Sequence, residues 1–222
     1  VQIAIIVAHP DDEALGCGGT IAKHTVNGDT VNLLTLADGV GSRLNSNNSD
    51  LKLRNSALIK SSQVLGISHV ESADFPDNQF DSVPLLTITQ AIESFLQRFP
   101  AERIYTHFAN DLNIDHQKTH AAVLTACRPQ PEQNVKQIFC FETLSSTEWA
   151  SHQYPAFRPN YFVDISISMK NKMQALEAYH EEMRPAPHTR SFDNVQALAQ
   201  YRGMSIGLKF AESFYIERYI EA

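Results

Sequence analysis

Short apolar runs alternate along this chain with longer stretches of helical periodicity. Residues 3–8, "IAIIVA", form a β-branched run without polar alternation, as expected for a strand covered on both faces. Residues 12–28 follow with Ala14, Leu15, Ile21, Ala22 and Val26 near helical spacing and Gly28 as a stop. The pattern then repeats. Strands are predicted at 30–37, 69–75, 103–108 and 135–144, and helices at 49–66, 85–99 and 115–129, the last two closed by Pro100 and Pro129. "NYFVDIS" at 160–166 is read as the last strand, followed by helices over 169–183 and 194–207. Such alternation predicts an α/β fold, a mostly parallel sheet with helices on both faces in three layers. No internal repeat, low-complexity tract or linker divides residues 1–222, which read as a single domain.

In a fold of this class ligands bind beyond the carboxyl ends of the strands. The unusual residues of the chain collect there: "HPDDE", "ADGVGSR", "PDNQFD", "HFANDLNIDH" and "ETLSSTEW" follow strands one to five in turn. "HPDDEALGCGG" puts carboxylates where a dinucleotide pyrophosphate would need bare amides and lacks G-x-G-x-x-G, so phosphate binding at this turn is disfavoured. A divalent cation fits better, because it requires anionic and imidazole ligands. His9 and Asp12, three residues apart in a strand-to-helix turn, can reach one point. A third ligand must come from elsewhere, and "NDLNIDHQKTH" offers Asp111, Asp115, His116 and His120. His116 opens a helix on the neighbouring edge; Asp115 reads as a cap or as a group that orients its neighbour. His120 stands one turn beyond His116, either as a second helical ligand or as a packing or substrate residue, in a segment without the glutamate of a helical zinc-protease motif.

Composition narrows the classes. The net charge is −7 and no Lys/Arg block occurs, which excludes a nucleic-acid partner. Three scattered cysteines, Cys17, Cys127 and Cys140, make neither a disulfide framework nor a zinc-thiolate set. No apolar run approaches the roughly 20 residues of a membrane span, and no basic-then-apolar leader opens the sequence as given. The expectation is a soluble cytoplasmic protein, with homo-oligomerisation left open.

"AHPDDE" after strand one, combined with "DH" opening a helix after strand four, resembles the PIG-L/LmbE family of zinc-dependent deacetylases acting on N-acetylated sugars. Weaker likenesses extend over most of the chain: Arg54 twelve residues before Gly66, "FPDNQF", "YFVDIS" and "LAQYRGMSIGLKFAESF". The resemblance implies a Rossmann-like fold, zinc or another divalent transition metal on His9, Asp12 and His116, and Asp11 as the base. Two positions depart from the family pattern. Asn113 stands where many members have a histidine that steadies the transition state, and Ala57 where a glutamate is common.

Two imidazoles and a carboxylate leave a metal one open position, where bound water becomes acidic near pH 7. Asp11, pointing away from Asp12, can take the water proton, and an N–H of Asn113 can meet the developing oxyanion. Glu13 is expected to support the loop. Candidate substrate contacts are Arg54, Glu148, Trp149, whose ring can stack on a sugar, and His188 and Arg190 in the loop "EEMRPAPHTRSFD". The leading reading is a hydrolase that releases acetate from an N-acetylglucosamine-like unit, free or phosphate- or nucleotide-linked. The alternatives are an amidase acting on a sugar-thiol or other amide conjugate, and a non-catalytic sugar-binding protein.

Overall fold

A computed structural model describes residues 1–42 and 48–221. Its centre is a seven-stranded sheet of β1 (Gln2–Val7), β2 (Thr30–Ala37), β3 (His69–Phe75), β4 (Arg103–His107), β5 (Gln137–Phe141), β6 (Tyr161–Asp164) and β7 (Ala211–Tyr219), in the order β3-β2-β1-β4-β5-β7-β6. The first five strands run parallel; β7 pairs antiparallel with both β5 and β6.

Period-two geometry explains the unbroken apolar run of β1. Ile3, Ile5 and Val7 enter one core, Ala4, Ile6 and Ala8 the other. Helices α1 (Asp12–Val26), α2 (Asn48–Leu65) and α5 (Met169–Ala178) pack together on the first face, joined by α6 (Phe192–Met204). On the second face lie α3 (Leu85–Arg98) and α4 (Ile114–Ala126).

The apolar pattern predicts the last strand at 160–166; the structure corrects this with β7. Helix α6 stops at Met204, Gly207 takes a φ of 79°, and the chain returns as a strand between β5 and β6. Segment "ADGVGSR" follows β2 as expected, but its Arg43 lies outside the described residues.

Helix α1 is two helices in one. At Cys17 the backbone leaves helical geometry (φ −145°, ψ 23°), and the amides freed there are taken by distant groups. Gly19 and Thr20 N–H donate to the two oxygens of Glu212 on β7 at 2.9 and 2.7 Å. Lys172 of α5 donates to Leu15 O at 2.7 Å and to Glu212 at 2.5 Å, and Ser168 Oγ donates to Gly19 O. A Cβ on Gly16 would stand 2.2 Å from the Phe141 ring, so only glycine lets this part of α1 lie so close to the sheet.

Strand order reverses between β1 and β4, since β1 leads to β2 on one side and β4 leads to β5 on the other. The crevice beyond the carboxyl ends of these two strands is the natural ligand site of a doubly wound sheet.

Candidate functional site

Val7 ends β1, and the chain turns through His9 and Pro10 into α1. Asp11 sits at the helix start in the left-handed region (φ 102°). Across the crevice, Asn113 caps α4 and His116 lies in its first turn. These turns bring His9, Asp12 and His116 together, with one donor atom from each within 4.8 Å of the others. His9 Nδ1 lies 3.3 Å and His116 Nε2 3.4 Å from Asp12 Oδ2, and all three residues are buried.

The far nitrogen of each imidazole has its own carboxylate. His9 Nε2 faces Asp115 Oδ2 at 3.0 Å and Asp77 Oδ1 at 3.1 Å. His116 Nδ1 faces Asp111 Oδ1 at 3.1 Å. Neutral rings that donate to these acids present a lone pair to the shared point beside Asp12, the orientation metal-binding histidines need. The acids are themselves fixed. Asp115 accepts N–H bonds from Asn78 (2.6 Å) and Phe80 (2.9 Å). Asp111 accepts from Ser146 Oγ, from Thr147 Oγ1 at 2.6 Å and from Asn113 N–H at 2.9 Å. The donor set fits a divalent transition metal of the zinc class, with two nitrogens, a carboxylate and room for water or substrate.

Electrostatics agree with that geometry. Burial would lower the pKa of His9, but hydrogen bonds to Asp115, Asp12 and Asp77 hold it well above the ordinary value. His116 is likewise raised to about 9 against burial, by Asp12 and Asp111. Asp12 is held well below the carboxylate range despite its burial by His116 and His107. Without metal, the acids hold protons on the imidazoles where a cation would otherwise balance charge.

Asp11 is buried beside this point but aimed elsewhere. Arg54 Nη2 (3.2 Å) and Arg190 Nη1 (3.0 Å) both contact its Oδ2, which leaves Oδ1 for the cleft. Burial raises its pKa, and the two guanidinium groups oppose the rise. Glu13 turns away into the protein. It accepts from Asp11 N–H, Ser61 Oγ and Tyr179 Oη, and burial pushes it to about 7.

The resulting cleft holds about 150 Å3, and its wall includes His9, Asp12, His116, Asp11, Arg54, Asn113 and Arg190. Three non-glycine residues have positive φ among those described, Asp11, Asn78 and Ser145, and all three line this cleft. Backbone held in such regions costs about 1–3 kcal/mol per residue and gathers at functional sites.

Other candidates are placed differently. Glu148 folds back to accept from Ser145 N–H (2.7 Å) and Ser146 N–H (3.2 Å), fixing the loop after β5. Trp149, 48% exposed, meets His188 edge-on at 5.8 Å. His188 Nδ1 accepts from Arg190 N–H at 3.0 Å. None of these three forms part of the cleft wall. His120, on α4, donates from Nδ1 to His107 O at 3.0 Å and lies outside the cleft wall. Asn113 Oδ1 accepts from Asp115 N–H at 2.8 Å, and its Nδ2 donates to Asn78 Oδ1 at 2.9 Å.

Sequence reasoning missed His107. It closes β4, stacks on His116 with centroids 3.8 Å apart, and accepts the Ala8 N–H on Nε2 at 3.0 Å. Burial, with His116 beside it, lowers its pKa to about 4, so it stays neutral and braces the β1 turn against His116. A lone histidine ending a buried strand, "IYTHF", was its only signal.

Fold and site together define a doubly wound α/β protein whose buried imidazole and carboxylate cluster could hold a metal ion. The family model described as PIG-L: GlcNAc-PI de-N-acetylase matches residues 4–127, more than half of the chain, and the protein belongs to that family. It is a deacetylase, a hydrolase of non-peptide C–N bonds. The diacetylchitobiose deacetylase of Thermococcus kodakarensis is 27% identical over 224 residues, covering 95% of this chain and 81% of the relative. The zinc-inhibited form of the teicoplanin deacetylase Orf2 shares the fold, with a TM-score of 0.79 at 18% identity over the whole of both chains. So does GalB, the 4-carboxy-2-hydroxymuconate hydratase of Pseudomonas putida KT2440, with a TM-score of 0.78 at 18% identity over 100% of this chain and 99% of that one. Fold alone therefore does not fix the reaction, and the site must carry the argument.

Proposed function

We propose that this protein removes the acetyl group from an N-acetylated amino sugar of the N-acetylglucosamine type, giving acetate and the free amine. The observation that carries this reading is the convergence of His9, Asp12 and His116 with Asp11 beside them in one polar cleft. His9, Asp12 and His116 would hold zinc or a similar divalent ion. When bound, that ion would polarise the acetamide carbonyl and acidify a water to near neutrality.

The residues of the chain supply the rest. Asp11 takes the proton of the attacking water on Oδ1, while Arg54 and Arg190 keep its other oxygen out of the ligand set. The water oxygen bonds to the carbonyl carbon, the C–N bond breaks, and the proton held by Asp11 passes to the leaving amine. Asp77, Asp111 and Asp115 hold the two imidazoles in place throughout. Among the described residues no helix is long and apolar enough to cross a membrane. Cys17, Cys127 and Cys140 are free and buried, which supports placement in a reducing compartment such as the cytoplasm.

Acetate release from a panel of free, phosphorylated and nucleotide-linked N-acetyl sugars tests the reading. Metal-dependent release from at least one of them is expected. Release from none, by protein shown to carry metal, would contradict it.

A further inference from the structure

Outside the cleft, another group of metal-ligating side chains converges that the proposed reaction does not use. A ring nitrogen of His120 on α4, Cys140 Sγ on β5 and a carboxylate oxygen of Glu217 on β7 lie within 4.8 Å of one another. The three are so far apart along the chain that cysteine spacing gives no sign of them. His120 and Cys140 are buried, whereas Glu217 stands at the solvent edge and gives the cluster an open side.

Local geometry presents each donor. Strand β7 carries one extra residue against β5, since Phe139 pairs with Ile216 but Ile138 with Arg218. This bulge turns two successive residues toward α4: Arg218 donates to Cys127 O, and Glu217 meets His120 and Cys140. Among the described residues the Glu217 carboxylate is committed to no hydrogen bond or ion pair. His120 Nδ1 donates to His107 O at 3.0 Å, the kind of backbone contact that orients a metal-binding imidazole and leaves its lone pair on Nε2. Burial lowers the pKa of His120, which keeps the ring neutral. Cys140 Sγ lies against that ring, 3.6 Å from Nδ1. The donor set selects the ion: a thiolate and a carboxylate neutralise a divalent cation, and sulfur with imidazole favours the zinc class over calcium or magnesium.

We infer that His120, Cys140 and Glu217 form a second site for a zinc-class divalent ion, separate from the cleft, which clasps α4 to β5 and β7. On binding, the Cys140 S–H bond breaks, the sulfur keeps the electron pair and donates it to the metal, and the proton leaves to solvent. The inference is independent of the reaction proposed above.

The test titrates the purified full chain, stripped of metal, with cobalt(II), a zinc substitute whose bond to a thiolate produces a near-ultraviolet charge-transfer band that nitrogen and oxygen ligands do not. The cleft cluster of His9, Asp12 and His116 contains no sulfur, and among the described residues Cys17 and Cys127 belong to no such cluster, so the band reports this site. Two ions per chain and the band are expected in the wild type. Cys140→Ala should lose the band and one ion, and His116→Ala should keep the band. Glu217→Gln, at an exposed position that folding tolerates, should weaken the sulfur-bound ion by about tenfold or more, and decides the matter if Cys140→Ala does not fold. One ion with the band would tell against the cleft ligands and still support the second site. Saturation without the band, a band that survives Cys140→Ala, or unchanged affinity in Glu217→Gln would overturn it.

Discussion

Among the three successive acids of "HPDDE", Glu13 touches neither the metal position nor the cleft, yet it carries a clear pH signature. Its folded pKa of about 7, against an ordinary 4.5, means that the native chain keeps a proton which the unfolded chain releases in that window. The contribution of Glu13 is therefore most favourable below pH 4.5 and is lost as pH rises to about 7, by about 3 kcal/mol at most. Glu13→Gln cannot ionise, and the hydroxyls of Ser61 and Tyr179 can turn to suit it. Relative to wild type it should gain stability between pH 4.5 and pH 8, measured by denaturant melts at both; an unchanged difference would refute the assignment. Asn113 poses a second question at this scale. Its carbonyl oxygen caps α4 and its amide is engaged by Asn78, which favours a cap over an oxyanion donor. Asn113→Ala is accordingly expected to lose about 1 kcal/mol, near 2–4 °C in Tm for a chain of this size, with kcat close to wild type. A drop of about 10- to 100-fold in turnover at constant KM would instead assign it to the transition state.

Helix α1 owes its shape to partners far away in sequence. Its break at Cys17 leaves amides satisfied by Glu212 and carbonyls satisfied by Lys172 and Ser168, with Glu212 and Lys172 both buried and paired with each other. Removing one member of such a pair leaves the other charge uncompensated, at about 3–5 kcal/mol. Lys172→Met should therefore destabilise the protein by that amount in equilibrium unfolding, whereas Lys172→Met combined with Glu212→Gln should recover part of the loss. Additive losses in the double variant would show that the pair does not act as a unit. The same contacts explain why β7 is not legible in the sequence. A strand containing Glu212, Ser213, Glu217 and Arg218 looks like surface loop, because the groups that allow Glu212 to be buried lie on α1 and α5, beyond any local window.

At the scale of the whole molecule, the parallel core was legible because strands buried on both faces write themselves as continuous apolar runs, as β1 does. The convergence of His9, Asp12 and His116 was legible because they lie in two compact segments at the ends of β1 and β4, the neighbouring strands where sheet order reverses. His107 was not, since its Ala8 partner stands 99 residues away. Glu148, Trp149 and His188 share the right edge of the sheet, but local amides and each other turn them aside, an orientation that no spacing encodes. The central claim is a division of labour inside one turn, in which Asp12 binds metal and Asp11 moves the proton. Its most direct test is metal content by elemental analysis together with acetate release, on the wild type, Asp11→Asn and Asp12→Ala, with His116→Ala as a second ligand variant. The account predicts that Asp11→Asn keeps its metal and loses activity by about 100-fold or more, while Asp12→Ala and His116→Ala lose the metal itself. Equal metal loss in the Asp11 and Asp12 variants, or full metal in His116→Ala, would contradict it.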